Sequence, residues 1–449
     1  MVESIEKPRD KYKFEEKNSN KEKNVANMLI SGRGDDLFTC SRCGTCLSIC
    51  PVYRQTLDEG CAPRGKLSLI EAVANGKIPF TEKVSQRLYT CTMCNYCTKE
   101  CPSGVKVDEL FRAVRSDLVD SKKYPEILDL LKDRIKKAYN VTFDTNQGRL
   151  DWLKQIPDIN INEYVKDTAE VVYFVGCVSS FSPRSFVIPR AITQVLKGAG
   201  VDFTLLGEDE WCCGFPLLSS GMTAQAQFLA EHNIEMVRKK GAKILITSCP
   251  SCYHTWVHEY PDFKSDAGDG SGDGAGYSAG DFKIMHISQY LLELIKNKKI
   301  KLNSINTNRI NVCQVNENRI DKNQKNIKVT YHDPCDLGRN SGIIDEPREV
   351  IKSIPGVDLL ELQNKKLQSN CCGGGGNLES LNPQLAAKIA EAKASEIIST
   401  GAEILVSACQ QCERTLSNAL KKKKSQVDYK IKVMDISELV LESITSSVE

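Results

Sequence analysis

The sequence predicts an α+β multidomain chain: an all-helical N-terminal domain, then two copies of one α/β domain with parallel-type sheets. Three observations predict it. Two four-cysteine runs of identical spacing stand near the N-terminus. A longer five-cysteine pattern then occurs twice at matched offsets. Between those cysteines, short β-branched runs alternate with helical stretches, the texture of βαβ units.

The short runs are CSRCGTCLSICP and CTMCNYCTKECP. They place Cys40, Cys43, Cys46 and Cys50 before Pro51, and Cys91, Cys94, Cys97 and Cys101 before Pro102. This C-x2-C-x2-C-x3-C-P run, used twice, is the bacterial ferredoxin signature for two [4Fe–4S] cubanes. Three closely spaced thiolates wrap one face of a cube, and the fourth, before proline, reaches the other cluster. The expected ligand sets are Cys40, Cys43, Cys46 and Cys101 for one cubane, and Cys91, Cys94, Cys97 and Cys50 for the other. Zinc is the competing reading, since C-x2-C alone often binds it; the paired runs ending in Cys-Pro argue against it. RGKLSLIEAVANGK has helical periodicity, and with SQRLYT and VDELFRAVRSDLV it points to an α-helical ferredoxin over 36–122. A helical connector covers 123–170.

The long pattern organises the rest. Cys177, the adjacent pair Cys212-Cys213, and Cys249-x2-Cys252 recur as Cys335, Cys371-Cys372, and Cys409-x2-Cys412. The flanks repeat too: VVYFVGC matches VTYHDPC, and GAKILITSC matches GAEILVSAC. A long-period repeat means two copies of one fold unit, placed at 171–298 and 328–445 with a linker over 299–327. Adjacent thiols make a poor disulfide framework but a good way to aim several thiolates at one metal group. After Cys371-Cys372 come four glycines, whose missing Cβ lets backbone approach something bulky and whose N–H groups can face an anion. The expected strands end near the cysteines, at the sheet edge where open parallel sheets bind ligands. Ser265–Asp281, a Gly/Asp-rich stretch missing from the second copy, reads as a flexible loop.

Composition narrows the function classes. Net charge is +2, which implies no broad nucleic-acid or membrane-lipid surface. Residues 1–35 read as a mobile charged tail without the apolar core of a secretory leader. No run of 18 apolar residues suggests a membrane span. Twenty cysteines in such a chain favour metal or redox chemistry over structural disulfides. Cys61 and Cys313 stand outside every constellation and read as ordinary free thiols, and His254 and His258 read as packing or hydrogen-bonding residues. No nucleotide or flavin motif is present.

On these residues both repeats resemble the CCG (cysteine-rich) domain, and the chain over about 36–445 resembles the heterodisulfide reductase family of methanogenic archaea. The resemblance implies a ferredoxin fused to two CCG domains, each with a noncubane [4Fe–4S] cluster. Carried over, one cluster takes Cys177, Cys212, Cys213, Cys249 and Cys252; the other takes Cys335, Cys371, Cys372, Cys409 and Cys412. It implies a catalytic oxidoreductase subunit of methanogenesis, cleaving the coenzyme M–coenzyme B disulfide between the two clusters, with the cubanes relaying single electrons. It further implies an electron-donating partner, either a b-type cytochrome membrane subunit or a flavin-containing subunit, and a cytoplasmic place at the membrane's inner face through it. Both coenzyme tails are anionic, so Arg184, Arg190, Arg339 and Arg348 are candidates for the cleft. Similar chains instead carry electrons for flavin-dependent glycolate, lactate or glycerol-3-phosphate dehydrogenases, or for thiol:fumarate reductase, and that alternative stays open.

Overall fold

The computed structural model describes residues 37–156, 159–263, 282–305, 326–423 and 431–445. The charged tail, the Ser265–Asp281 stretch, most of the linker and Cys313 lie outside the described residues.

Each repeat builds one four-stranded parallel sheet. In the first, β1 (Val171–Phe174), β2 (Phe203–Leu205), β3 (Ile244–Thr247) and β4 (Lys283–His286) run in the order β2-β1-β3-β4. In the second, β5 (Ile327–Tyr331), β6 (Val357–Leu360), β7 (Ile404–Ser407) and β8 (Lys432–Asp435) run in the order β6-β5-β7-β8. Val172 sits opposite Thr204 and Leu245 in one sheet, and Val329 opposite Leu359 and Ile404 in the other. The central strands are covered on both faces, which is why VVYF and ILVS read as continuous apolar runs rather than alternating ones. In both sheets the chain reverses direction beside the first strand, so the crevice at the carboxyl ends of β1 and β3, or β5 and β7, is the topological switch point.

The repeats share a core. Helix Val187–Gly198 packs on Ile436–Thr445, and Ile287–Lys296 packs on Glu346–Lys352. One apolar cluster accordingly contains Val175, Ile192, Leu291, Val350, Val406 and Leu439.

The helical domain is fastened to the first repeat rather than tethered to it. Helix Val107–Asp120 places Leu110, Phe111 and Val114 in one cluster with Leu217, Leu229 and Trp256. The buried Arg115 guanidinium donates to the carbonyls of Ser219, Leu88 and Tyr89, and the Tyr89 hydroxyl donates to Ser220 O. The connector also contributes to the body of the protein. Asn146–Gln155 winds as a 3₁₀ helix and buries Trp152, Leu153 and Arg149 against the first repeat.

Candidate metal centres

The two short cysteine loops fold alike. The residue before the second cysteine (Arg42, Met93) and the one after it (Gly44, Asn95) all have positive φ. For the non-glycine residues that conformation is strained, and strain of this kind gathers at ligand-holding loops. Met93 N–H donates to Cys91 Sγ at 3.4 Å, and Tyr53 N–H donates to Cys50 Sγ at 3.5 Å. Cys50 lies with the second loop: burial pushes its thiol up to about 12, and the Cys91 and Cys94 thiols are close enough to add to the rise. Cys40, Cys43, Cys46 and Cys101 line a common small cavity, which Cys97 also reaches.

The long patterns close into two chains of thiols with the same order. Cys177 neighbours Cys212, which neighbours Cys213, then Cys252, then Cys249. Cys335 neighbours Cys371, then Cys372, Cys412 and Cys409. The Cys252–Cys213 sulfur separation is 3.3 Å. In each repeat the second cysteine of the adjacent pair has its thiolate favoured. Hydrogen bonds from Cys212 and Cys252 hold Cys213 down to about 6, and those from Cys371 and Cys412 hold Cys372 down to about 5. Backbone donors add to this: Gly373 N–H reaches Cys371 Sγ and Gly374 N–H reaches Cys372 Sγ. A largely buried, thiol-rich set with amides aimed at sulfur fits an iron–sulfur group. Thiolates placed this close repel unless metal joins them.

The two sets face one another. Helix Pro250–His254, which carries Cys252, packs on the turn Cys335–Arg339, and helix Cys177–Phe181 packs on Gln410–Lys423, which carries Cys412. Ser251 Oγ donates to Asp336 Oδ2 at 2.6 Å and Gln410 Nε2 donates to Ser248 Oγ at 2.7 Å across this interface. The Cys94 thiol meets Cys371, whose hydrogen bond pushes Cys94 up, so the second short loop touches the second repeat directly.

Two of the four glycines serve that contact rather than a cluster. An ideal Cβ on Gly375 would stand 2.5 Å from Thr92 O, and one on Gly376 would stand 2.3 Å from Cys91 O. The bulky neighbour is therefore the backbone of the helical domain.

The arginines also sort differently from the expectation of a basic cleft. Arg339 is buried and donates to the carbonyls of Leu367, Cys94 and Ser369, while Arg348 is buried in a pair with Asp333 and Glu361. Arg184 is exposed and bonds Asn418; Arg190 bonds Phe186 O and Gln155. Two functional neighbours were missed. Arg149 pairs with buried Glu210 at 2.7 Å and reaches Cys177 Sγ at 3.7 Å, while Glu210 accepts from Val175 and Gly176 N–H. No periodicity marks Arg149 in its connector. The other is His332, grouped with Cys372 and Cys412; burial pushes its pKa down to about 3, which keeps it neutral. The match of VVYFVGC to VTYHDPC could have found it, since it puts a histidine opposite a phenylalanine at the end of a buried strand.

The His254 and His258 rings pack tilted by 40° with centroids 4.8 Å apart, and His254 bonds Ser341 and Glu259. Burial would raise Glu259, but His254 and Arg112 hold it down to about 2. These groups border a cavity of about 560 Å³ that no cysteine lines. Cys61 packs against the apolar cluster that holds Cys50 and Val52, and its thiol donates weakly to Asp58 Oδ2 at 3.7 Å rather than to another thiol. Cys61→Ser should keep full iron by iron and sulfide assay; loss of a cubane signal would place Cys61 among the ligands.

Comparison with known proteins agrees with this geometry. A 4Fe-4S dicluster domain family matches residues 36–105, and the cysteine-rich domain family matches 171–256 and 329–417. Fold and sites define an iron–sulfur oxidoreductase subunit. The chain is 32% identical over 428 residues to the D-type subunit of the dihydromethanophenazine:CoB–CoM heterodisulfide reductase of Methanosarcina mazei, covering 91% of this chain and 94% of that protein. The chain belongs to this family of heterodisulfide reductase subunits. More distant relatives include the EtfAB:quinone oxidoreductase of Syntrophomonas wolfei, 24% identical over 90% of this chain and 58% of that one. One of the subunits of the fumarate reductase (CoM/CoB) of Methanothermobacter marburgensis is 25% identical over 89% and 71%. Among the described residues no helix is long and apolar enough to cross a membrane.

Proposed function

We propose that this chain is the catalytic subunit of a heterodisulfide reductase, reducing the coenzyme M–coenzyme B disulfide to two thiols. The carrying observation is the pair of five-thiol chains, complete and alike in order, whose helices face each other across the repeat interface. Their ten cysteines are the proposed ligands of two noncubane [4Fe–4S] clusters, and the eight cysteines of the short runs hold two cubanes.

The reaction takes up two electrons and two protons; the S–S bond breaks and each sulfur leaves as a thiol. When bound, the clusters supply one-electron steps and iron sites that stabilise a developing thiolate in place of a proton. The chain's own part is positional. Ser251–Asp336 and Gln410–Ser248 hold the two constellations in register, and burial keeps water from eight of the ten cysteines, Cys249 and Cys335 staying partly exposed. Arg339, bonded to both Cys94 O and Ser369 O, holds the Cys94–Cys371 approach. That approach sets the second short loop, whose cysteines would hold a cubane, against the second repeat, where single electrons would enter. The electrons come from a partner protein, either a b-type cytochrome or a flavin protein.

Anaerobically purified protein should contain roughly sixteen irons, four per cluster, with matching labile sulfide. It should reduce the disulfide with an artificial one-electron donor. Stoichiometric zinc without charge-transfer absorption would sink the reading.

A second reading, an electron-transfer subunit for a flavin dehydrogenase, draws on the large cavity. It presents Asp108, Glu109, Glu259 and Asp262 against one guanidinium, Arg112, a poor receptacle for a doubly anionic disulfide. With all four clusters present, no turnover of the disulfide but reduction by a flavin partner would select it.

A further inference from the structure

The fold brings one unpaired polar side chain to the second thiol chain. His332 directly follows β5, where its amide continues the sheet by donating to Val406 O at 2.9 Å. Its ring is 1% exposed, and neither ring nitrogen has a hydrogen-bond partner among the described residues. The ligating atoms of His332, Cys372 and Cys412 all lie within 4.8 Å of one another. A buried imidazole without a partner is costly, so its N–H calls for an acceptor at that point. Cys372 and Cys412 are consecutive links of the thiol chain, and five cysteines already complete that set. The ring therefore serves as a donor and not as a sixth ligand.

The first repeat has no counterpart. The matched segments put Phe174 in the place of His332, and Phe174 packs edge-on to Trp256 with centroids 5.6 Å apart. The two sites share their thiols but not their donors.

We propose that His332 donates its N–H to a sulfur of the second-repeat cluster, making the two repeat clusters inequivalent and the second the easier to reduce. This rests on the second repeat holding an iron–sulfur cluster, and not on which substrate is reduced. A donor to a cluster sulfur stabilises the more negative, reduced state. Because Cys94 abuts Cys371, the cluster nearest the cubanes is then also the better acceptor, and electrons collect there first.

The test is a redox titration of the anaerobic full-length protein, followed by electron paramagnetic resonance, after iron has been counted. His332→Phe, which copies the first repeat, should lower one midpoint. Its reduced-to-oxidised ratio at fixed potential should fall about tenfold, about 59 mV for a one-electron couple. The cubane signals should not move. His332→Gln keeps an N–H donor and should restore most of the shift. Unmoved midpoints in His332→Phe with iron retained would overturn the proposal. So would an equal shift in both variants, which would make ring bulk the cause. Loss of four irons from both variants, or strong ¹⁴N coupling from a coordinated ring, would make His332 a ligand and overturn it as well. A wild-type protein without a second-repeat cluster would sink the functional reading itself.

Discussion

Cys213→Ala and Cys372→Ala should each bring disulfide reduction by an artificial one-electron donor down to background. The loss should exceed the roughly 10–100-fold that removing an outer-shell partner of a metal costs. These two positions are the ones whose thiolates their neighbours favour most, and each stands at the middle of its thiol chain. The double variant should be no worse than either single one, because a site acting as a unit fails once either half is lost. The cubanes should still be reduced in all three proteins, since their eight cysteines lie in the helical domain. Rapid mixing with dithionite and steady-state disulfide assays read both quantities. Disulfide turnover that survives in either variant would mean that only one repeat carries the reaction.

Gly376→Val should destabilise the protein by about 3 kcal/mol or more, and it should slow electron entry into the second repeat. Gly376 has φ of +61° and an ideal Cβ there would stand 2.3 Å from Cys91 O. A β-branched residue in the left-handed region is itself strained by about 1–2 kcal/mol, and two backbones cannot step apart as flexible side chains do. The loop that carries Cys371 must then lift from the loop that carries Cys94. Thermal unfolding would report the first effect; stopped-flow reduction of the repeat clusters, with cubane reduction unchanged, would report the second. Wild-type transfer rates in a destabilised variant would show that the Cys94–Cys371 approach is not the route.

Much of this protein is legible in its residues because cysteine spacing is local. A C-x2-C-x2-C loop brings its own thiols together whatever the fold around it does, so the short runs could be read as they stand. The repeat was legible for a related reason. Strands buried on both faces, such as Val171–Phe174 and Ile404–Ser407, are continuous apolar runs, and two copies with matched cysteines betray one another. The helix through Pro63–Ala74 followed from its periodicity.

What only the tertiary structure decided are contacts between distant segments with no periodic signature. Arg149 and Glu210 are 61 residues apart, and their pairing beneath Cys177 depends on how a connector folds back over the first sheet. The arginines expected in a cleft went elsewhere because a buried guanidinium must satisfy its donors. Arg339 does so on three carbonyls, and Arg348 on two carboxylates and a carbonyl. The glycines after Cys372 were expected to admit a cluster, yet two of them admit another domain's backbone; a missing Cβ records that something is close and not what it is. Number, spacing and repetition of thiols thus marked the chain as an iron–sulfur protein with one short-run domain and two like repeats. Packing alone determined which centre touches which, because the order of sulfurs in space is set by long-range burial that no stretch of sequence contains.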